Sequence, residues 1–129
     1  AVIPGMKQQG GGAIVFLSSL VATYSGSYSY VAYEASKAGV NRMGRSIARA
    51  HAADNIRANV IMPGMIDTPH VTAFISDDQN ASSTQRAAVV PMGRQGTAWD
   101  IAEAALFLAS DASSYITGVS LPVDGGLGA

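Results

Sequence analysis

The stretch AIVFL, Ala13 to Leu17, is an uninterrupted apolar run between a glycine triplet at 10–12 and two serines, Ser18 and Ser19. A short apolar run without polar alternation is typical of a strand buried on both faces of a parallel sheet. The glycines before it predict a turn, because they interrupt regular structure. The run therefore predicts an inner strand of an α/β fold rather than one face of a two-sided antiparallel sheet.

Two further segments predict strands, IRANVIM at 56–62 and VSLPV at 119–123. Helical spacing of apolar residues predicts a long helix from about Tyr30 to Ala53 and a shorter one from about Ala98 to Ser110, with Thr97 as its N-cap. Strands separated by helices predict a parallel sheet with right-handed crossovers. The apolar side of the long helix is expected to consist of Ala35, Ala38, Gly39, Val40, Met43, Ile47 and Ala50.

Composition narrows the class of protein. The 129 residues carry a formal net charge of -1, 48% are hydrophobic, none is cysteine, and His51 and His70 are the only histidines. The balanced charge predicts neither a nucleic-acid partner nor an anionic membrane surface. No disulfide framework or metal site of the usual kind is expected. The composition predicts one soluble domain in the cytoplasm.

Tyr33 and Lys37 lie one turn apart on the predicted long helix, and Ser18 and Ser19 end the strand just upstream. A cation beside the phenol favours the phenolate, and a serine hydroxyl can orient an oxygen that gains or loses a proton. This pattern predicts the acid–base half of a carbonyl–alcohol interconversion. As a lone Tyr-x-x-x-Lys match, the pair is a weak signal and fits a packed tyrosine beside a solvated lysine better than a catalytic pair.

Three segments place the pair in a wider pattern. LSSLVATYSGSYSYVAYEASKAGVNRMGRSIARA (17–50) resembles the catalytic segment of the short-chain dehydrogenase/reductase family. ANVIMPGMIDTP (58–69) is similar to the family's Pro-Gly segment, and PMGRQGTAWDIAEAALFLASDASSYITGVSLPVDGG (91–126) to its last helix and strand. The resemblance covers essentially the whole chain, in order. It implies the C-terminal half of a doubly wound parallel-sheet, Rossmann-like domain with about three parallel strands and flanking helices.

The resemblance also implies roles for individual residues. Tyr33 is the general acid–base, Lys37 assists it and bonds the nicotinamide ribose of NAD or NADP, and Ser19 holds the substrate oxygen. Because the interval from Ser19 to Tyr33 is one residue longer than is common in the family, Ser18 stays as a second candidate. The residues implied to contact the cofactor are Tyr33, Lys37, Pro63, Gly64, Ile66 and Thr68, although Pro63 and Gly64 also suit a plain strand terminator. Residues 67–90 are implied to form a lid over the substrate.

The family's glycine-rich dinucleotide turn is the part of the pattern that this sequence lacks, because Gly10-Gly11-Gly12 precedes a strand instead of following one. The chain, 1–129, is therefore expected to be a single partial domain without the N-terminal dinucleotide-binding half. The expected function is oxidation of a secondary alcohol or reduction of a ketone, in a homodimer or homotetramer that pairs through the long helix. The alternative is a non-catalytic fragment or interaction module.

Overall fold

The computed structural model describes residues 1–24, 30–68 and 83–129. Within them, the helices are α1 (Ile3–Gln8), α2 (Val31–His51), α3 (Ser83–Ala88) and α4 (Ala98–Ala109), and the strands are β1 (Gly12–Leu17), β2 (Ile56–Pro63) and β3 (Ser120–Val123). Three-residue 3-10 turns lie at Leu20–Ala22, Ala52–Asp54 and Asp111–Ser113. Within the described residues, no helix is both long enough and apolar enough to cross a membrane.

The three strands form one parallel sheet in the order β1-β2-β3, which confirms the predicted α/β fold. Gly12 pairs with Ile56 at one end of the sheet and Leu17 with Ile61 toward the other. β2 is the buried centre, whereas β1 is an edge strand among the described residues and leaves Leu17 58% exposed. The apolar run at 13–17 therefore has the composition of an inner strand, but one of its two edges has no partner strand within the described residues.

Two helices cover opposite faces of β2, because successive side chains of a strand point to opposite faces. On one face Asn41 of α2 reaches Met62, where its amide nitrogen lies 3.1 Å from the sulfur. On the other, the Arg57 guanidinium donates to the carbonyl oxygens of Leu108 at 2.8 Å and Ser110 at 3.0 Å. These carbonyls belong to the last turn of α4, where helix carbonyls lack intrahelical donors. Arg57 thus fixes the end of α4 against the sheet.

The face that α2 turns to the sheet differs from the expected one. Its buried residues are Asn41, Gly44 and Ala48. Val40 and Ile47 are partly buried, whereas Ala35, Ala38, Gly39, Met43 and Ala50 are exposed. Small residues explain the rotation, since a Cβ added at Gly44 would lie 2.5 Å from Cγ2 of Val60. The stripe that lets helix and sheet backbones approach most closely is buried, although it is not the most apolar one.

Gly44→Ala should destabilise the protein although alanine is the better helix former. The helix gains about 1 kcal/mol from the change in propensity, but a methyl group forced against the fully buried Val60 costs about 1–3 kcal/mol in overpacking. We expect a net loss of about 1 kcal/mol in the free energy of unfolding, measured by urea denaturation. Gly5→Ala in α1 is the control, because a Cβ there has no atom within 4 Å and should not destabilise. A stabilising Gly44→Ala would contradict this packing.

Candidate active site

The predicted site residues converge on one edge of the sheet. Ser18 and Ser19 follow β1, and Pro63 ends β2 directly before Gly64. Because the strands are parallel, their carboxyl ends lie at the same edge, and the first turns of α2 return to it after β1. Ligand sites of open α/β sheets lie outside the carboxyl ends of the strands. The topology therefore assembles at one edge what the sequence places in separate segments.

Tyr33 and Lys37 occupy the first two turns of α2. The Tyr33 side chain is 48% exposed, and the Lys37 ammonium lies 5.6 Å from the centre of its ring. Lys37 also donates a 3.2 Å hydrogen bond to the carbonyl oxygen of Leu17, the last residue of β1. The cation is thereby held between the end of β1 and the phenol. The pair is accessible to a ligand and is tied to the sheet, unlike a solvated lysine beside a packed tyrosine.

The two serines have different environments. Ser18 is buried, and its hydroxyl donates a 2.9 Å hydrogen bond to the carbonyl oxygen of Lys37. Ser19 is only partly buried, and its hydroxyl oxygen accepts a long, 3.4 Å bond from the backbone N–H of Val21. A hydroxyl that accepts one weak bond still has its proton to donate. The geometry favours Ser19 over Ser18 as the serine that can meet a substrate oxygen.

Ile66 pairs with Gly96 in an isolated parallel bridge that the sequence did not predict. Gly96 donates to the carbonyl oxygen of Met65 at 2.9 Å and accepts from the N–H of Asp67 at 2.8 Å. In such a bridge the N–H and carbonyl of the central residue point to the opposite side. The backbone groups of Ile66 therefore face away from Gly96, as a backbone contact to a ligand amide requires.

Only glycine fits at position 96, because a Cβ there would come within 2.6 Å of Cδ1 of Ile66. The segment before it is held by the ion pair of Arg94 with Asp100, whose Nη2 and Oδ1 atoms are 2.9 Å apart. Asp100 closes a capping box with Thr97, which confirms the predicted N-cap of α4. The pKa of the Asp100 carboxyl lies well below its ordinary value. The main cause is the hydrogen bond from the Arg94 guanidinium, and the hydrogen bonds from Thr97 contribute less.

A cleft of about 190 Å³ opens beside this bridge. Its lining consists of Ile66, Met92, Arg94, Gly96, Asp100, Val123, Asp124 and Gly125. The Asp124 carboxylate is occupied within its own turn, accepting from the N–H groups of Gly126 and Gly128 at 2.9 Å each. Asp124 therefore holds the turn after β3, and the charged side chains of the lining are all paired within the protein.

Pro63 and Gly64 both contribute to the pairing of β2 with β3. Pro63 pairs with Val123 in the sheet, and the N–H of Gly64 donates to the carbonyl oxygen of Val123 at 3.0 Å. A Cβ on Gly64 would lie 2.6 Å from Cβ of Asp124, so only glycine fits the close approach of the two chains. These contacts account for both residues without a ligand, and their expected contact with a cofactor stays a prediction.

The remaining sequence predictions fall only partly on described residues. Thr68 is described, whereas His70 and most of the predicted lid, 69–82 of 67–90, lie outside the described residues. Within the part of the chain that the structure describes, no group of three or more His, Asp or Glu side chains is placed to hold a metal ion. The interaction of Asn41 with Met62 was not predicted, because Asn41 lies outside the side of α2 that the apolar spacing predicted to face the sheet.

Comparison with known proteins identifies the family of this chain. The family model described as enoyl-(acyl carrier protein) reductase matches residues 1–128. A 3alpha-hydroxysteroid dehydrogenase from Mediterraneibacter gnavus is 47% identical over 120 residues, covering 93% of this chain and 46% of that protein. A 3-oxoacyl-[acyl-carrier-protein] reductase from Thermotoga maritima is 42% identical over 126 residues, covering 98% of this chain and 49% of its own length. The chain spans about half the length of the curated relatives it matches.

Solved structures show the same likeness. An oxidoreductase of the short-chain dehydrogenase/reductase family from Burkholderia thailandensis superposes with a TM-score of 0.87 at 38% identity, covering 98% of this chain and 48% of that one. A putative NAD(P)-dependent gluconate 5-dehydrogenase from Beutenbergia cavernae, with bound NADP at low occupancy, gives a TM-score of 0.86 at 36% identity. It covers 96% of this chain and 49% of that one. These solved structures thus resemble this chain in both sequence and backbone over nearly all of its length.

Asp100→Asn should destabilise the protein near neutral pH and do so less in acid. Since the folded protein lowers the pKa of Asp100, the ionised carboxylate stabilises the fold above the unfolded pKa of about 3.9, and this stabilisation is lost as pH falls further. Thermal denaturation from pH 7 to pH 3 should show the difference in Tm between wild type and variant shrinking below pH 4. Glu103→Gln, on the same helix, controls for net charge. A difference that stays constant with pH would contradict the role of the ion pair.

Proposed function

Because this chain belongs to the short-chain dehydrogenase/reductase family, we propose that it carries the catalytic residues of an NAD(P)-dependent oxidoreductase that interconverts a secondary alcohol and a ketone. The observation that carries the proposal is the pairing of exposed Tyr33 with Lys37, whose ammonium lies 5.6 Å from the ring, beside the carboxyl end of β1. An exposed phenol next to a fixed cation is suited to acid–base chemistry at an oxygen.

In the direction of reduction, Tyr33 gives its phenolic proton to the substrate oxygen as negative charge develops there. Ser19 donates a hydrogen bond to the same oxygen, and this bond strengthens as the charge grows, so it favours the transition state over the ground state. In oxidation the tyrosinate takes the proton back from the alcohol. Lys37 stabilises the charged phenolate in both directions, because its ammonium is held beside the ring.

The residues present fit one part of a nicotinamide cofactor. The Ile66 backbone faces away from Gly96 and suits a carboxamide, and the Lys37 ammonium suits a ribose hydroxyl. Thr68, Pro63 and Gly64 complete the proposed contact surface at the carboxyl end of β2. When bound, the nicotinamide supplies or accepts the hydride. The cofactor is NAD or NADP, since the contacts proposed here do not touch the group that distinguishes them.

The names of two relatives support the substrate class. One is a hydroxysteroid dehydrogenase and the other a 3-oxoacyl reductase, so each name pairs oxidoreduction with a hydroxyl or oxo group on carbon. We expect this protein to act on a small molecule that carries the same functional group. Residues 67–90 follow β2 at the site edge and are proposed as the lid that covers it.

The proposed dinucleotide-binding half lies outside this chain, in keeping with the span of about half of each relative. The side of β1 that is unpaired among the described residues is where the sheet would continue. The alternative, a non-catalytic fragment or interaction module, rests on the same two observations. Intact mass and NADPH binding separate them: a protein of 13.2 kDa that fails to bind the dinucleotide would favour the alternative.

We also propose that α2 pairs with its copy in a homodimer or homotetramer. Its outer side leaves Met43 45% exposed, and Gly39 has open space around it. An exposed methionine near a glycine suits a close helix–helix contact, in which two-fold symmetry places the same residues on both sides.

Tyr33→Phe should lower kcat by about 100-fold or more, because general acid–base groups contribute about 10²–10⁴ to the rate. The affinity for cofactor should change little, since only the phenolic oxygen is lost. Turnover is followed by NAD(P)H absorbance with a 3-hydroxysteroid, a 3-oxoacyl thioester and a cyclic ketone. Tyr30→Phe, an exposed tyrosine at the start of the same helix, is the matched control. Near-normal turnover by Tyr33→Phe would overturn the assignment.

Met43→Arg should weaken self-association by about tenfold or more, because it places a charge in the proposed apolar contact between two copies of α2. Sedimentation velocity across a concentration series measures the dissociation constant. Tyr115→Arg changes a fully exposed aromatic residue away from α2 and serves as the comparison. If Tyr115→Arg dissociates the oligomer while Met43→Arg does not, the interface lies elsewhere.

A further inference from the structure

We infer that Ser18 is a positioning residue, whose buried hydroxyl holds α2 against the end of β1 and thereby sets where Tyr33 stands relative to Ser19. The inference rests on the proposed function and adds to it the residue that aligns the two oxygen-binding groups. It separates the adjacent serines by task, Ser19 meeting the substrate and Ser18 fixing the framework.

The first observation is that Ser18 is buried and that both its N–H and its hydroxyl donate hydrogen bonds within the protein. Only 4% of the residue is exposed, its N–H donates to the carbonyl oxygen of Ile61 at 2.8 Å, and its hydroxyl donates to the carbonyl oxygen of Lys37 at 2.9 Å. One residue thus bonds β2 with its backbone and α2 with its side chain. A hydroxyl buried in this way has no path to a substrate oxygen.

The second observation is that the link runs in both directions. Ser18 donates to the Lys37 backbone, and the Lys37 ammonium donates to the carbonyl oxygen of Leu17, the residue before Ser18. The pair forms a closed loop of two hydrogen bonds between one residue of α2 and the Leu17–Ser18 segment. Of the two bonds, that of Ser18 is the shorter and is made by a short, buried side chain, whereas the lysine side chain is long and flexible.

This loop of two hydrogen bonds sets the distance between the two proposed oxygen-binding groups. Ser19 is the next residue after Ser18, and Tyr33 lies one helical turn before Lys37. The loop therefore joins the two segments that carry these groups. Misplacement of catalytic groups by about 1 Å can cost about 100-fold in rate. The local helix hydrogen bond of the Lys37 carbonyl does not depend on Ser18, so removing the hydroxyl frees α2 to shift without unfolding it.

The test compares Ser18→Ala with Ser36→Ala. Both lose a serine hydroxyl that donates to a carbonyl of α2, but Ser36 is exposed and bonds within its own helix, to Tyr33 at 2.8 Å. We expect Ser18→Ala to lower kcat by about 10- to 100-fold at a temperature where circular dichroism shows it folded, with KM changed less than about threefold. Ser36→Ala should turn over normally. Ser18→Thr, which keeps the hydroxyl, should recover most of the lost kcat.

A second readout is independent of turnover. In the protein labelled at the lysine ε-carbons, Lys37 should move its NMR signal in Ser18→Ala, whereas Lys7, which is paired with Asp54, should not. Should Ser18→Ala not fold, Ser18→Cys takes its place, because the thiol fills the space but donates weakly, and an intermediate loss of kcat is expected.

The outcomes separate the inference from the function it rests on. If Tyr33→Phe loses turnover but Ser18→Ala matches Ser36→Ala in kcat and in the Lys37 signal, the positioning role is wrong and the proposed function stands. If Tyr33→Phe turns over normally, both fall. A loss of kcat in Ser18→Ala that Ser18→Thr recovers, together with a moved Lys37 signal, supports the inference.

Discussion

β2 is paired along both of its edges and covered by a helix on each face, and its position determines that of every other element. Ile56, Ala58, Val60 and Ile61 are almost completely withdrawn from water. Burial of this apolar surface is the main favourable contribution to the fold. Since β1 and β3 are parallel to β2, the segments that follow all three strands emerge at one edge. The candidate site is a consequence of that shared direction.

The contact of α2 with β2 connects this core to the chemistry. Gly44 allows the helix to lie close to Val60, and Asn41 reaches Met62 one turn nearer to the site. Lys37, another turn along, is bonded through its carbonyl and its ammonium to the end of β1. The same helix that is packed at its centre therefore presents its first turns to a ligand. Rigidity of such a support is what keeps catalytic groups aligned.

A second support holds the loop after β2. Gly96 is bridged to Ile66, and the ion pair of Arg94 with Asp100 steadies the chain on either side of that bridge. Asp100 serves two purposes, because it also caps α4. The Asp100 carboxylate of this family member thus couples the stability of α4 to the position of Ile66, the proposed nicotinamide contact.

Local patterns in the sequence were sufficient to identify the three strands and the two longer helices. The apolar run at 13–17 predicts β1, the spacing of Thr97 and Asp100 predicts the start of α4, and Asp54-Asn55 predicts the end of the long helix. Each of these signals acts over a few residues, and Asn55 indeed adopts a left-handed conformation with φ of 60°. Predicted boundaries such as 56–62 for β2 differ from the observed Ile56–Pro63 by a single residue.

The sequence by itself determined the order and type of the strands and the two longer helices, because periodicity, caps and turn residues act locally, and it singled out the pair of residues proposed to carry the chemistry. Only the tertiary structure decided which face of α2 is buried, which of two adjacent serines is free to meet a substrate, and that Gly96 lies beside Ile66. Those outcomes depend on atoms from segments far apart in the chain. Close approach at Gly44 and the burial of the Ser18 hydroxyl arise only when helix and sheet have packed.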